Sequence, residues 1–212
     1  DTHSHTNPAR VAVAISGGGR SLENFLAKCT ATEPYIITAV IASRPDCRGV
    51  AIANSHNIPV FIGDFTRQPE TNAQELSAWL KFHKIDWIVL AGFLKRFPIM
   101  APWAHQTINI HPALLPHFGG KGMYGDRVHA AVLAAGSSES GATVHFVNDH
   151  YDEGDIIAQV TVPVLLQDDV HTLAARVFTA ECKLYPTVLR LLVEGKLPRQ
   201  DGAPERYRYD RF

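Results

Sequence analysis

The sequence predicts an α/β fold with a Rossmann-like open sheet. The sheet is parallel in its first half, antiparallel strands are added in its second half, and helices cover both faces. Short apolar runs alternate with segments of helical periodicity through the first half, the pattern of right-handed βαβ crossovers. A glycine-rich turn joins the first apolar run to its helix. Two later apolar runs lie close together on either side of an acidic loop, which indicates a hairpin.

The parallel half is predicted from the apolar runs in chain order. Continuous apolar runs of this kind are typical of strands that are buried on both faces. The runs predict strands over 11–15, 36–42, 58–62, 87–92 and 107–111. Helical spacing of apolar residues predicts helices from 22 to about 29, over 48–56 and over 70–83.

The second half has a different pattern. Apolar runs over 143–147 and 156–162 flank the acidic loop 148–155, and this spacing predicts two antiparallel strands. A helix is expected after Asp126, which is a candidate cap. A long amphipathic helix is predicted over 170–192.

The composition excludes several classes of function. The chain has 212 residues, a formal net charge of −1 and 46% hydrophobic residues, enough for one sizeable α/β domain. We expect no nucleic-acid and no membrane partner, because the charge is balanced and no apolar run could span a bilayer. Cys29, Cys47 and Cys182 are scattered along the chain, which fits a cytoplasmic protein. Residues 1–10 are interpreted as a disordered extension or a cloning remnant, and 199–212 as a surface tail.

Two polar residues end the fifth predicted strand. Asn109 and His111 are two positions apart, so their side chains leave the same face, and Pro112 ends the ladder after them. Ligands bind at the carboxyl ends of strands in open α/β sheets. An imidazole there can move a proton near neutral pH, and an amide can donate to an oxygen that gains negative charge. The alternative is an ordinary strand end with two polar residues.

The glycine-rich turn spans 17–21. Strand, turn and helix in this order present backbone N–H groups and a helix N-terminus, with Ser21 as a candidate cap, to a phosphate. Leu22 occupies the place of the third glycine of a dinucleotide fingerprint, so a phosphate monoester is the better prediction. The alternative is a tight turn without a ligand.

These groups favour acyl transfer over other chemistries. The eleven histidines form no recognisable metal-binding spacing, and no Gly-x-Ser-x-Gly elbow is present. An amide and an imidazole suit transfer between two bound substrates, with an oxyanion stabilised by Asn109 and by a charged His111. A nearby carboxylate would raise the pKa of His111. Candidates lie in the acidic loop and at Glu181, which interrupts the apolar face of the last helix. His129 faces either this site or water.

Residues 109–116, Asn-Ile-His-Pro-Ala-Leu-Leu-Pro, resemble the Asn-x-His-Pro-Ser-Leu-Leu-Pro signature of the folate-dependent formyltransferases. The similarity runs over 11–198 and includes the His-Phe-Val strand at 145–147 and the loop after it. The resemblance implies 10-formyltetrahydrofolate as the formyl donor and 5′-phosphoribosylglycinamide as the acceptor. The implied enzyme is a one-carbon transferase of purine biosynthesis.

The resemblance also implies roles for individual residues. It assigns catalysis to Asn109, His111 and Asp152, with Asp149 and Asp155 as weaker candidates for the carboxylate. The implied phosphate-binding residues are Gly17, Gly18, Gly19, Arg20 and Ser21, and the implied contact of the amine substrate is Glu181. The implied folate-binding residues are Leu94, Lys95, Arg96, Phe97, Asn148, Asp149, His150, Tyr151 and Asp152.

The resemblance implies one domain over 11–198, with a phosphate-binding half over 11–105 and a catalytic and folate-binding half over 106–198. Small molecules are the expected partners of a monomer or homodimer without a metal. Arg20 departs from the small polar residue that is common in the family.

A formyltetrahydrofolate hydrolase shares the Asn, His and Asp but carries a further amino-terminal domain. A non-catalytic nucleotide-binding module would not require the three residues together, and a methionyl-tRNA formyltransferase would need a basic RNA-binding surface.

Overall fold

The computed structural model describes residues 7–197 and 207–209, and these residues contain one mixed sheet of eight strands. The strands are β1 (Ala9–Ile15), β2 (Tyr35–Ala42), β3 (Val60–Ile62), β4 (Trp87–Leu90), β5 (Thr107–His111), β6 (Glu139–Phe146), β7 (Ile156–Pro163) and β8 (Tyr207–Tyr209). The helices are α1 (Arg20–Lys28), α2 (Arg48–Ser55), α3 (Pro69–Phe82), α4 (Asp126–Ala134) and α5 (Val170–Val193), with a short 3-10 helix at Ala101–Trp103.

The predicted fold class is confirmed by the order and direction of the strands. The order is β3-β2-β1-β4-β5-β6-β7-β8. The first five strands pair in parallel, whereas β5–β6 and β6–β7 pair antiparallel. Because successive connections run outward from β1 on one side and from β4 on the other, the sheet has its switch point between these two strands. In open α/β sheets, that is where ligands bind.

Helices cover both faces of the sheet, as the sequence predicts. Apolar residues of α1, α2, α4 and α5 pack on one face, and Leu76 and Leu80 of α3 pack on the other. A fully buried side chain of this size contributes about 1.5–3 kcal/mol of burial free energy. None of the described helices is long and apolar enough to cross a membrane.

Several predicted boundaries move, each for a local reason. Helix α1 begins at Arg20 with Gly19 as its N-cap and no side-chain cap, so the prediction that Ser21 caps it was wrong. Gly19 has a φ of +70°, a conformation that glycine adopts without a Cβ clash. Helix α4 likewise has Gly125 as its cap, and Asp126 lies inside its first turn. Strand β4 ends at Leu90 because the chain turns at Gly92, whose φ is +71°.

Two parts of the predicted domain organisation lie largely outside the described residues. The predicted N-terminal extension, 1–10, is described only from residue 7 onward, and Ala9 and Arg10 already belong to β1. Of the predicted surface tail, 207–209 alone are described, and they pair in parallel with β7.

One buried tyrosine connects α5 to the middle of the sheet. The Tyr185 hydroxyl donates to the Leu90 carbonyl at 2.6 Å and lies 3.3 Å from the Ile108 carbonyl. These carbonyls belong to β4 and β5. Since backbone groups inside a core need partners, the contact fixes α5 against β4, which borders the switch point, and against its neighbour β5.

Candidate active site

A cavity of about 640 Å³ lies at the carboxyl edge of the sheet, over the switch point. Its walls come from the turn after β1, the ends of β4 and β5, the loops after β5 and β6, and one face of α5. Asp155, a weaker candidate for the carboxylate, does not line this cavity. The other residues predicted to take part in catalysis or binding all do: Gly17, Gly18, Gly19, Arg20, Ser21, Leu94, Lys95, Arg96, Phe97, Asn109, His111, Asn148, Asp149, His150, Tyr151, Asp152 and Glu181.

The side-chain amide of Asn109 lies opposite His145. Strands β5 and β6 pair antiparallel, with Asn109 directly across from His145. Directly opposed residues of such a pair bring their side chains together. The Asn109 Nδ2 atom lies 3.2 Å from His145 Nε2. The amide is therefore held by a side chain of the neighbouring strand.

His111 is held by a backbone carbonyl. The residue is 3% exposed, and its Nε2–H donates to the Phe118 carbonyl at 2.7 Å. A carbonyl only accepts, so the neutral ring carries its proton on Nε2. The other nitrogen, Nδ1, lies 3.5 Å from Asp152 Oδ2.

Asp152 lies between the two histidines. Its Oδ2 faces His111 and accepts a hydrogen bond from the Gly120 N–H at 3.0 Å, while its Oδ1 lies 3.5 Å from His145 Nε2. The residue adopts a φ of +57°, which is uncommon outside glycine but best tolerated by Asn and Asp. Burial raises the pKa of Asp152, but the two histidines and the Gly120 N–H outweigh it and hold the pKa below its ordinary value. Asp152 is therefore ionised at neutral pH.

The pKa of His111 corrects one expectation from the sequence. Asp152 and the Phe118 carbonyl do raise it, as a neighbouring carboxylate should. Burial is the larger effect and His145 adds to it, so the net pKa lies below the ordinary value. The expectation of a raised pKa was wrong because the depth of the strand end could not be read from the sequence, and the resting ring is neutral.

The glycine turn is built by close packing of backbone. A Cβ on Gly19 would lie 2.7 Å from the Cα of Gly49, the second residue of α2. The Gly49 N–H donates to the Gly17 carbonyl at 3.2 Å. Because α1 has no side-chain cap, the N–H groups of its first turn remain for a ligand.

Arg20, at the end of the turn, lines the cavity together with Phe178 and Glu181 of α5. The Arg20 guanidinium carbon lies 3.7 Å from the centroid of the Phe178 ring, a cation–π contact. Glu181, three residues further along α5, is half-buried. Burial raises the pKa of Glu181 to about 7, and Arg20 opposes that rise. Glu181 therefore carries only part of a negative charge at neutral pH.

The wall predicted to bind folate has an apolar base and a charged rim. Phe97 is buried and packs with Phe65 and Phe93. At the rim, the Arg96 guanidinium lies 3.8 Å from the Asp149 carboxylate in an exposed pair. The two predicted folate segments, 94–97 and 148–152, therefore border one side of the cavity together.

Two histidines in the cavity wall were missed as functional candidates. The sequence shows His145 only as part of the His-Phe-Val motif, and its position beside Asn109 depends on the register in which β6 pairs with β5. The sequence is compatible with His129 facing either the site or water. It lines the cavity, is 6% exposed and has no hydrogen-bond partner for Nδ1. Burial is the main reason that the pKa of His129 is lowered.

Metal binding finds no support in the part of the chain that the structure describes. Within 7–197, no group of three or more His, Cys, Asp or Glu residues is arranged to hold a metal ion. The histidines around Asp152 instead direct two of their nitrogens to backbone carbonyls.

Comparison with known proteins gives a consistent result. Residues 9–189 match the formyl transferase family. The chain is 38% identical over 202 residues to a protein of Arabidopsis thaliana named phosphoribosylglycinamide formyltransferase, chloroplastic, and the match covers 92% of this chain and 69% of that protein. It is 34% identical to the phosphoribosylglycinamide formyltransferase of Haemophilus influenzae, with 91% of each chain covered.

The fold agrees with this similarity. The solved structure of phosphoribosylglycinamide formyltransferase from Brucella melitensis superimposes with a TM-score of 0.79 and 36% sequence identity. The superposition covers 91% of this chain and all of that one. The sequence match and the structural match therefore extend over nearly the same share of the chain.

Proposed function

This chain belongs to the formyl transferase family, and we propose that it transfers a formyl group from 10-formyltetrahydrofolate to the amine of 5′-phosphoribosylglycinamide in purine biosynthesis. One observation carries the proposal: Asn109, His111 and Asp152 converge in the same cavity as a glycine turn. The names of the relatives from Haemophilus influenzae and Arabidopsis thaliana support formyl transfer and the choice of acceptor.

The glycine turn is the proposed site of the substrate phosphate. Free N–H groups at the start of α1 and the partial positive charge of its N-terminus favour an anion. Arg20 adds a guanidinium whose stacking on Phe178 keeps it beside the turn, and guanidinium binds phosphate in a bidentate manner. The turn therefore anchors one end of the substrate.

Glu181 is the proposed contact for the rest of the glycinamide substrate. Its raised pKa of about 7 means that the carboxyl group both donates and accepts hydrogen bonds near neutral pH. Such a group suits a substrate with hydroxyl and amide groups. The segments 94–97 and 148–152 form the proposed folate side, where the buried Phe97 offers an apolar surface to a pterin ring.

The proposed chemistry begins with attack of the substrate amine on the formyl carbon. A C–N bond forms, and the formyl oxygen becomes an oxyanion. Asn109 donates to that oxygen through the amide N–H that His145 does not use. We expect the oxygen also to replace the Phe118 carbonyl as the acceptor for His111 Nε2–H. The Asn109 donor is in place before the reaction, whereas His111 must exchange the Phe118 carbonyl for the oxyanion.

The amine must lose a proton, and N10 of the folate must gain one. Asp152 is ionised and faces the neutral Nδ1 of His111. We propose that the proton leaves the attacking nitrogen, is held by the Asp152–His111 pair, and reaches N10 as the bond between the formyl carbon and N10 breaks. His111 is an imidazolium only while the oxyanion exists, so its positive charge stabilises the negative charge on the formyl oxygen.

A steady-state assay that measures both formylated glycinamide and free formate tests this function. We expect the wild type to transfer the formyl group and His111→Ala to lower kcat by about 100-fold to 10,000-fold, the range for a positioned acid–base group. The matched control is His171→Ala, an exposed histidine at the start of α5, which should retain wild-type activity.

The same assay separates the alternatives. Rapid formate release without transfer by the wild type would favour a formyltetrahydrofolate hydrolase. Neither product, with both substrates bound, would favour a binding module. Unchanged kcat in His111→Ala would remove the mechanism proposed here.

A further inference from the structure

His145 is almost fully buried, and both of its ring nitrogens face polar atoms. The residue is 2% exposed. Its Nδ1 lies 2.8 Å from the Phe146 carbonyl, and its Nε2 lies 3.2 Å from Asn109 Nδ2. Buried polar groups cost free energy unless they are paired. Two contacts of this length on one buried ring indicate that its orientation is fixed.

The contacts select one tautomer. A carbonyl only accepts, so Nδ1 carries the proton of the neutral ring. Nε2 then has a lone pair and accepts from the Asn109 amide. The opposite amide orientation would bring the Asn109 oxygen against that lone pair. In this neutral tautomer, the ring of His145 determines which way the Asn109 amide points.

His145 also meets the catalytic carboxylate. Its Nε2 lies 3.5 Å from Asp152 Oδ1, the oxygen that does not face His111. Asn109 comes from β5, and Asp152 comes from the loop after β6. One ring nitrogen on β6 is therefore close to both groups, although they are 43 positions apart in the chain.

We propose that His145 is a positioning residue for the formyl transfer described above, an inference that rests on that proposed function. It holds one N–H of the Asn109 amide, so the second N–H is directed to the oxyanion. Loss of this orientation should affect the transition state more than substrate binding, because the oxyanion exists only during the reaction.

A pair of substitutions separates positioning from packing. A Gln side chain can place its oxygen near the position of Nε2, whereas an Asn side chain reaches only the position of Nδ1. We expect His145→Asn to lower kcat by about 100-fold, comparable to a misplaced oxyanion donor, with the KM of each substrate changed by less than about threefold. His145→Gln should recover kcat to within about tenfold of wild type, because its oxygen can accept from Asn109.

A double-mutant cycle tests whether His145 acts through Asn109. In an Asn109→Ala background, His145→Asn should lower kcat by less than about twofold. A further 100-fold loss in that background would overturn the proposal, as would Gln and Asn variants of equal activity. Wild-type protein without formyl transfer would instead contradict the proposed function itself.

A measurement on the wild type does not depend on how the variants fold. Nitrogen-15 NMR of labelled histidine distinguishes the two neutral tautomers. We expect the His145 ring to carry its proton on Nδ1. A proton on Nε2 of the neutral ring would leave no acceptor for the Asn109 amide and would overturn the proposal.

Discussion

The two ends of the cavity are built from different parts of the chain. The proposed phosphate end consists of backbone, in one turn between β1 and α1 that packs on a glycine of α2. The proposed catalytic end consists of side chains from two strands and a loop, and each ring nitrogen of His111 and His145 has a defined neighbour. The phosphate end therefore depends on backbone conformation, and the catalytic end depends on the protonation and orientation of side chains.

The largest effect is expected at the catalytic end, from Asp152→Asn. The substitution removes the charge that faces both histidines but retains the shape of the side chain. We expect kcat to fall by about 1,000-fold, with little change in the affinity for a folate analogue. Turnover and analogue titration on the same sample measure the two quantities.

A matched control is Asp155→Asn, an exposed aspartate three positions later, which should keep its activity. If Asp152→Asn bound the folate analogue poorly but had a normal kcat at saturation, Asp152 would be a binding group. The proposed distinction between an anchoring end and a catalytic end of the cavity would then be wrong.

A smaller effect of a different kind is expected at the phosphate end, from Gly19→Ala. The new Cβ would lie 2.7 Å from Gly49 Cα at a residue with a φ of +70°, so the turn must shift. We expect the KM for the phosphorylated substrate to rise by about 10-fold to 100-fold, since about 1–3 kcal/mol of strain or lost anion contacts is involved. The kcat at saturation should change by less than about threefold.

Gly136→Ala controls for backbone strain alone, because Gly136 has a φ of +65° but open space around its Cβ position, and it does not line the cavity. It should lower stability without raising KM. A loss of kcat in Gly19→Ala equal to the rise in KM would mean that the turn contributes to the chemistry and does not only anchor.

The smallest effect concerns stability and pH at Glu181. Its pKa is raised from 4.5 to about 7 in the folded protein. Because the folded protein binds this proton more tightly than the unfolded chain does, protonated Glu181 stabilises the fold. The contribution is complete below the unfolded pKa, near 4.5, and is lost as the pH rises through the folded pKa of about 7. Glu181→Gln cannot ionise, so the wild type should lose on the order of 1 kcal/mol relative to this variant between pH 5 and pH 8.

Thermal unfolding of the ligand-free proteins across this range measures the difference, about 2–4 °C in Tm for a chain of this size. Glu139→Gln, at an exposed position, is the control. Parallel curves for wild type and Glu181→Gln would mean that Glu181 titrates like a solvated carboxylate.

The difference between the two ends also explains what could be predicted from the sequence. The fold class and the glycine turn depend on contiguous residues, so apolar runs and glycines in 11–21 indicate them directly. Asn109 and His111 were identifiable as a strand-end pair for the same reason. Their connection to Asp152 came from a family resemblance, since no local pattern joins residues in different elements.

The remaining features depend on how deeply a side chain is buried and on the register in which two strands pair. The lowered pKa of His111 results mainly from burial, which no spacing in the sequence reveals. The contact between His145 and Asn109 depends on how β6 pairs with β5, and hairpin prediction leaves that register open. The position of the α1 cap was missed because the helix begins at a left-handed glycine instead of a polar side chain.

The buried hydroxyl of Tyr185 has a consequence for how the acceptor is placed. Tyr185 and Glu181 are four positions apart on α5, so they lie on the same side of one helix. The hydroxyl contacts the strand that carries Asn109, while the carboxyl group borders the cavity. One helix thus carries both the proposed contact of the acceptor and the hydroxyl that holds β5, so α5 fixes the distance between that contact and Asn109.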